Sequence, residues 1–346
     1  MIESQRIQYY FFYFSAFVII IGGLKMASQA VVILFLSIFI ASILSPVLLR
    51  LQKYKVPKYL AYFLVLLMIV VTIVFVFYII NTSLKDFGNN LPFYEMKLKK
   101  IVVDLLSMLN DFGFEIEPKS IIEGLNIGAL FNFTAGAAGN IGIFLSKMML
   151  VFIGVAFILV ESTHFEKKLD IIFKSDKDAQ KNFRLFSHNI QKYFSIKTLT
   201  SLLTGFVITI TLLFFEIDYP VLWGFLGFLL NFIPVIGSLI ASFPALFLAL
   251  IHYDLSTAAW LALVYLIINN LISNVLEPKF MGQGLGLSPA IIFFSLIFWG
   301  WVLGPVGMFL AVPLTMTLKI AFDSSKKTRW IGILLSNLSK DEKSKK

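Results

Sequence analysis

Asn231-Phe-Ile-Pro-Val-Ile-Gly237 interrupts an apolar run over 221–251 that is too long for one ordinary membrane-spanning helix and too short for two. A helix rising 1.5 Å per residue needs about 20 residues to cross roughly 30 Å of hydrocarbon. With Pro and Gly in its middle, the run reads as two short helices folded back on each other, a re-entrant hairpin. The same pattern returns at 288–321, where Trp301-Val-Leu-Gly-Pro-Val-Gly307 supplies the break. Ile-Pro-Val-Ile-Gly237 followed by Pro244 parallels Gly-Pro-Val-Gly307 followed by Pro313. Each hairpin follows a helix, and the two pairs enter from opposite sides, so they form an inverted repeat.

Working outward, apolar spans are expected at 7–24, 27–48, 59–80, 141–160, 198–215 and 256–276. The fold class is an all-α polytopic membrane protein, with about six full spans plus two re-entrant helical hairpins in the C-terminal half. Composition agrees: of 346 residues, 58% are hydrophobic and 14% charged, and the mean hydropathy is +0.87. Soluble domains carry roughly 25% charged residues, so a soluble enzyme is excluded. No segment shows the alternating ten-residue pattern of an outer-membrane barrel. With no Cys, there is no disulfide framework, thiolate metal site or cysteine nucleophile.

Charge sets the orientation. Arg50, Lys53, Lys55 and Lys58 crowd a short acid-free loop between the second and third spans, which the positive-inside rule places in the cytoplasm. Both termini then fall inside, and 22 of the 29 basic residues share that side. Such dispersed basic residues serve topology and not nucleic acid, which is not expected as a partner. The chain divides into N-terminal scaffold spans (1–80), an external helical insert (81–140), a fourth span with a cytoplasmic helix (141–197), a transport part (198–321) and a basic cytoplasmic tail (322–346). Ile101, Val102, Leu105, Leu106, Leu109 and Phe112 repeat at helical spacing in the insert, predicting an amphipathic helix lying on the protein or the membrane surface. The stretch 181–197 reads as a solvated basic helix face.

Gly/Pro-interrupted apolar segments in corresponding places of an inverted repeat point to the substrate site of a secondary transporter near the midplane. Helix breaks at membrane depth free backbone groups that must be satisfied inside the protein or by a polar solute. Pro234, Gly237, Gly304, Pro305 and Gly307 therefore mark candidate substrate-binding tips. Asn231, Asn269, Asn270, Asn274 and Ser238 add side chains suited to a hydroxylated ligand, against the plainer role of interhelical hydrogen bonding. Glu277 is the acid nearest membrane depth in this half and the candidate for ion coupling, against pairing with Lys279. Glu216, Asp218 and Asp254 read as solvated acids of the external loops. No nucleotide-binding lysine, metalloprotease motif or acyl-enzyme motif supports a catalytic residue, a metal or a cofactor. Gly300-x-x-x-Gly304 reads as close packing within the second hairpin, against the alternative of a dimer face.

Asn231-Phe-Ile-Pro-Val-Ile-Gly-Ser238, Asn274-Val-Leu-Glu-Pro-Lys-Phe-Met-Gly282 with Gly286-Leu-Ser-Pro289, Trp299-Gly-Trp-Val-Leu-Gly-Pro-Val-Gly-Met308 and Ala311-Val-Pro313 together resemble the autoinducer-2 exporter (AI-2E) family of bacterial inner-membrane proteins. The resemblance covers nearly the whole chain. Gly304-Pro305 matches the family's signature dipeptide, whereas Ser238 stands where many members have Pro. Membership implies export of the furanosyl quorum-sensing signal autoinducer-2, sodium or lithium/proton antiport, or a part in sporulation. The leading expectation is an exporter of a small polar organic solute, ion-gradient coupled, elevator-like and homo-oligomeric in the bilayer. The alternatives are a monovalent cation/proton antiporter and a non-coupled channel or structural component.

Overall fold

The computed structural model describes residues 2–111, 141–172, 174, 177–234, 236–281, 286–324 and 327–337. Twelve α-helices and one π-helix occur among them, with no strand. They are α1 (Ile2–Met26), α2 (Ser28–Lys53), α3 (Lys58–Asp111), α4 (Ile141–Ile172), α5 (Lys177–Phe214), α6 (Pro220–Leu230), α7 (Ile236–His252), α8 (Leu255–Asn270), the π-helix Leu271–Leu276, α9 (Glu277–Met281), α10 (Pro289–Leu303), α11 (Pro305–Asp323) and α12 (Arg329–Leu335). Segments Ser28–Lys53, Lys58–Asp104, Ser187–Phe214, Leu255–Phe280 and Pro305–Asp323 are long and apolar enough to cross a membrane. Ile19, Phe157, Leu202 and Phe206 expose their side chains along apolar helices, as lipid-facing positions do. The chain is an all-α polytopic membrane protein.

Three helices outrun the spans read from hydropathy. The third span and the amphipathic stretch after it form one helix: α3 has 54 residues, roughly 80 Å along its axis. Ile101 to Asp111 thus end α3 and do not make a separate surface helix; Phe112 and the rest of the insert to 140 lie outside the described residues. Pro92 sits inside α3 without ending it. The expected cytoplasmic helix is likewise a continuation of α4 and α5, which have 32 and 38 residues. The basic stretch 181–197 is not a fully solvated face, because Tyr193, Phe194 and Lys197 are buried.

The chain forms two compact units, each built from separated segments. One comprises residues 1–65, 149–198 and 278–346; the other comprises 66–148 and 199–277. In the first unit, Ser37 of α2 donates to Ile33 O (2.7 Å) and to Val151 O of α4 (3.2 Å). A Cβ on Gly154 would collide with that hydroxyl, so glycine permits the close approach of α2 and α4. Phe39 meets Phe194 and Phe309 edge-on, at 4.5 and 4.9 Å between ring centroids. Lys25, at the end of α1, places its ammonium 3.8 Å from the ring centroid of Trp301 in α10.

In the second unit, Ile208 and Leu212 of α5, Ala245, Leu248, Ala249 and Ile251 of α7, and Leu261, Tyr265 and Ile268 of α8 form the buried core, joined by Tyr94 of α3 and Ile272 of the π-helix. Ala241, Ala245 and Ala249 recur every turn of α7 and are buried, a small-residue stripe that admits a neighbouring helix. Helices α5 and α6 meet backbone to backbone: a Cβ on Gly205 would lie 2.6 Å from Gly224 O, and one on Gly227 would lie 2.7 Å from Ile208 Cδ1.

Candidate functional site

Both breaks expected from the sequence are present. The first lies in the second unit, where α6 (11 residues) turns through 231–234 into α7 (17 residues). At 1.5 Å per residue these arms are roughly 16 and 25 Å long, too short to cross the hydrocarbon in an ordinary span. Asn231 ends α6; it is buried, and its amide donates to Ser201 Oγ of α5 at 2.9 Å. Gly237 opens α7 where a Cβ would collide with Leu230 O and lie 3.1 Å from Ile233 Cβ.

The second break lies in the first unit and is a single residue. Gly304 joins α10 (15 residues) to α11 (19 residues) with φ 72° and ψ −157°, a conformation essentially reserved for glycine. Pro305 takes the first helical position, where its missing N–H costs nothing. A Cβ on Gly307 would collide with Trp299 O and lie 2.8 Å from Leu303 Cβ. The two tips therefore share one device: the first turn of the second arm rests on a carbonyl near the end of the first. Trp299 Nε1 donates to Thr315 Oγ1 at 3.1 Å and ties the arms together. Gly300 packs on Met308 inside the hairpin, as expected. Lys25 at the end of α1 lies over the Trp301 ring close to the second tip.

The tip N–H groups are engaged locally. Ile233 donates to Leu230 O (2.8 Å), Gly237 to Ile233 O (3.2 Å), Gly304 to Gly300 O (2.9 Å) and Gly307 to Gly304 O (2.8 Å). These tight turns engage four of the tip N–H groups locally. Side chains add further candidate contacts.

Those side chains gather where α8 becomes the π-helix. Asn270 donates to Leu266 O and accepts from Asn274, both at 2.8 Å, and this pair is exposed. Asn269 points elsewhere: its Oδ1 is sealed from solvent. Glu277 is half-buried at the end of the π-helix. π-Helical turns within α-helices occur frequently at functional sites. Val235 and 282–285 lie outside the described residues, and Ser238 is half-buried at the start of α7.

Several polar residues were not legible as site candidates. Thr200, Ser201 and Thr204 are buried along one stripe of α5, readable only as Thr and Ser at three- and four-residue spacing. Tyr265, one turn before Asn269, is buried as well. Asp218 is not a simply solvated acid. Tyr94 donates to its Oδ2 at 3.1 Å, Trp223 Nε1 donates to its carbonyl at 2.9 Å, and His252 Nε2 lies 2.9 Å from Oδ2. No cluster of three or more metal-ligating residues occurs among the described residues.

Comparison with known proteins places these features in context. The model of the AI-2E family transporter matches residues 14–327. The AI-2 transport protein TqsA of Escherichia coli is 31% identical over 94% of each chain. A candidate transport protein of Haemophilus influenzae is 37% identical, covering 94% of this chain and 95% of its own length. One from Borreliella burgdorferi is 32% identical over 98% of this chain and 95% of its own.

Proposed function

The chain belongs to the AI-2E family of transporters, multi-pass proteins of the bacterial inner membrane, and we propose that it exports a small, neutral, polar organic solute such as autoinducer-2. One observation carries this reading. The buried polar residues of the unit holding the first hairpin are Thr200, Ser201, Thr204, Asn231 and Ser242, all uncharged among the described residues. Hydroxyls and amides suit a hydroxylated neutral molecule, whereas a dehydrated cation needs carboxylates or converging carbonyls. TqsA, similar over nearly its whole length, is named for AI-2 transport.

The transport part is 198–321, with Asn269, Asn270 and Asn274 as its candidate solute contacts. The termini are cytoplasmic. Movement is elevator-like, coupled to an ion gradient, and anchored by a homo-oligomeric scaffold. A second reading, sodium or lithium/proton antiport, is favoured by Glu277, a half-buried carboxyl at the end of a π-helix in a membrane-depth segment.

Counterflow tests the proposal. Proteoliposomes preloaded with unlabelled autoinducer-2 should accumulate labelled autoinducer-2 transiently above its equilibrium level, which a carrier does and a channel cannot. Simple equilibration without overshoot would remove the carrier reading. A sodium- or lithium-driven proton movement that Glu277→Gln abolishes would promote the antiporter.

A further inference from the structure

Tyr265 is only 2% exposed, and its hydroxyl has no hydrogen-bond partner among the described residues. One helical turn further along α8, Asn269 Oδ1 is equally sealed and equally unpartnered. Buried polar atoms are nearly always paired, because an orphan carries its full desolvation penalty. Two orphans at i and i+4 share a helix face, with Cβ atoms about 5–6 Å apart. Among the described residues three other buried side-chain atoms lack hydrogen bonds, but they differ: His252 Nε2 faces Asp218 at 2.9 Å, while Gln52 Nε2 and Thr198 Oγ1 stand singly on their helices.

The surroundings indicate a site and not a packing defect. Tyr265 shares its core with the small Ala245 and Ala249 and with the apolar Leu261, Ile268 and Ile272. The π-helix starts two residues beyond Asn269. Chemically, the phenol both donates and accepts, while Asn269 Oδ1 only accepts. A partner must therefore bring an O–H or N–H to Asn269 and a second polar group to Tyr265. Among the described residues no charged residue is buried in this unit, so the partner is neutral.

We propose that Tyr265 and Asn269 form the polar contact for the transported solute, a small neutral molecule that brings an O–H or N–H donor and a second polar group. The inference rests on the export reading above and gives it an address. Asn269 was a candidate on sequence grounds; Tyr265 is assigned by the structure.

The test is ligand-dependent thermal unfolding in lipid nanodiscs. Wild type, Tyr265→Phe and Asn269→Leu are titrated with autoinducer-2, D-ribose and NaCl, and each is assayed for autoinducer-2 counterflow. Autoinducer-2, and ribose at higher concentration, should raise the wild-type Tm, whereas NaCl should not. Either substitution should weaken the apparent affinity about tenfold, as loss of a hydrogen bond in a desolvated site does. The unliganded Tm should stay level or rise, because an orphan polar group has been removed. Asn269→Ser, which keeps a small acceptor, should fall between. Variants that retain the full ligand response would overturn the site, as would a wild type whose Tm none of the sugars moves. A wild type that shows no counterflow but binds ribose through Tyr265 would remove the export reading and leave the site standing.

Discussion

Gly237 sits so close to Leu230 that a Cβ on it would collide with the Leu230 carbonyl oxygen, and Gly307 stands in the same relation to Trp299. Backbone cannot yield as a flexible side chain can. Gly237→Ala and Gly307→Ala should each open a hairpin tip, costing about 1–3 kcal/mol, as overpacking does, and cutting transport severely. Gly22→Ala and Gly23→Ala are controls, since nothing lies within 4 Å of a Cβ at either position. Thermal unfolding and counterflow on the four variants check this; equal behaviour of all four would contradict it.

Gly304 makes a sharper case. Its φ of 72° and ψ of −157° lie where only glycine rests without strain. Gly304→Ala should destabilise the second hairpin by about 1–3 kcal/mol, although open space surrounds its α-carbon. A harmless Gly304→Ala, measured by Tm, would mean that the tip adopts another conformation.

Asn231 and Ser201 join the first hairpin to α5 through a buried hydrogen bond of 2.9 Å. A double-mutant cycle with Asn231→Leu and Ser201→Ala should return a coupling of about 0.6–2 kcal/mol, the scale of interhelical bonds in membranes. A coupling near zero would free Asn231 to serve the solute directly.

The two hairpins were legible because Pro and Gly punctuate apolar runs whose lengths fit no ordinary span. Helix ends were less so: hydropathy stops reporting where a helix leaves the hydrocarbon, so α3 seemed to end near residue 80 although it continues to Asp111. The candidate site was legible by residue type alone. Asn270 and Asn274 do meet one turn apart, yet Asn231 is engaged by Ser201, and the tip N–H groups close on their own turns. Tyr265 escaped notice because a tyrosine in an apolar helix looks like core. Only burial without a partner distinguishes it.

Asp254 caps α8, with Oδ1 accepting the Thr257 N–H at 2.7 Å and the Ser256 hydroxyl at 3.0 Å. The Thr257 N–H, then Ser256, hold its carboxyl below the ordinary 3.8. A depressed folded-state value means stability present above 3.8 and lost as pH falls through the lower value. Asp254→Asn keeps the cap without the charge, so its Tm should fall less steeply than that of wild type on acidification below about pH 4. Parallel Tm profiles would show that the carboxylate does not act as the cap.

Asp218 gathers Tyr94 of α3, Trp223 of α6 and His252 of α7 at one end of the second unit. Asp218→Ala should loosen α3 from the hairpin arms, seen as faster amide exchange around Tyr94 and His252 with α8 unaffected. Uniform exchange across the unit would assign the cluster no local role.

Accumulation of radiolabelled autoinducer-2 in everted inner-membrane vesicles, energised by respiration, tests the export of a neutral solute most directly. Vesicles carrying the wild-type chain should concentrate the label, and a protonophore or Gly237→Ala should abolish this. No accumulation, together with sodium- or lithium-driven proton movement that depends on Glu277, would contradict solute export and leave the antiporter.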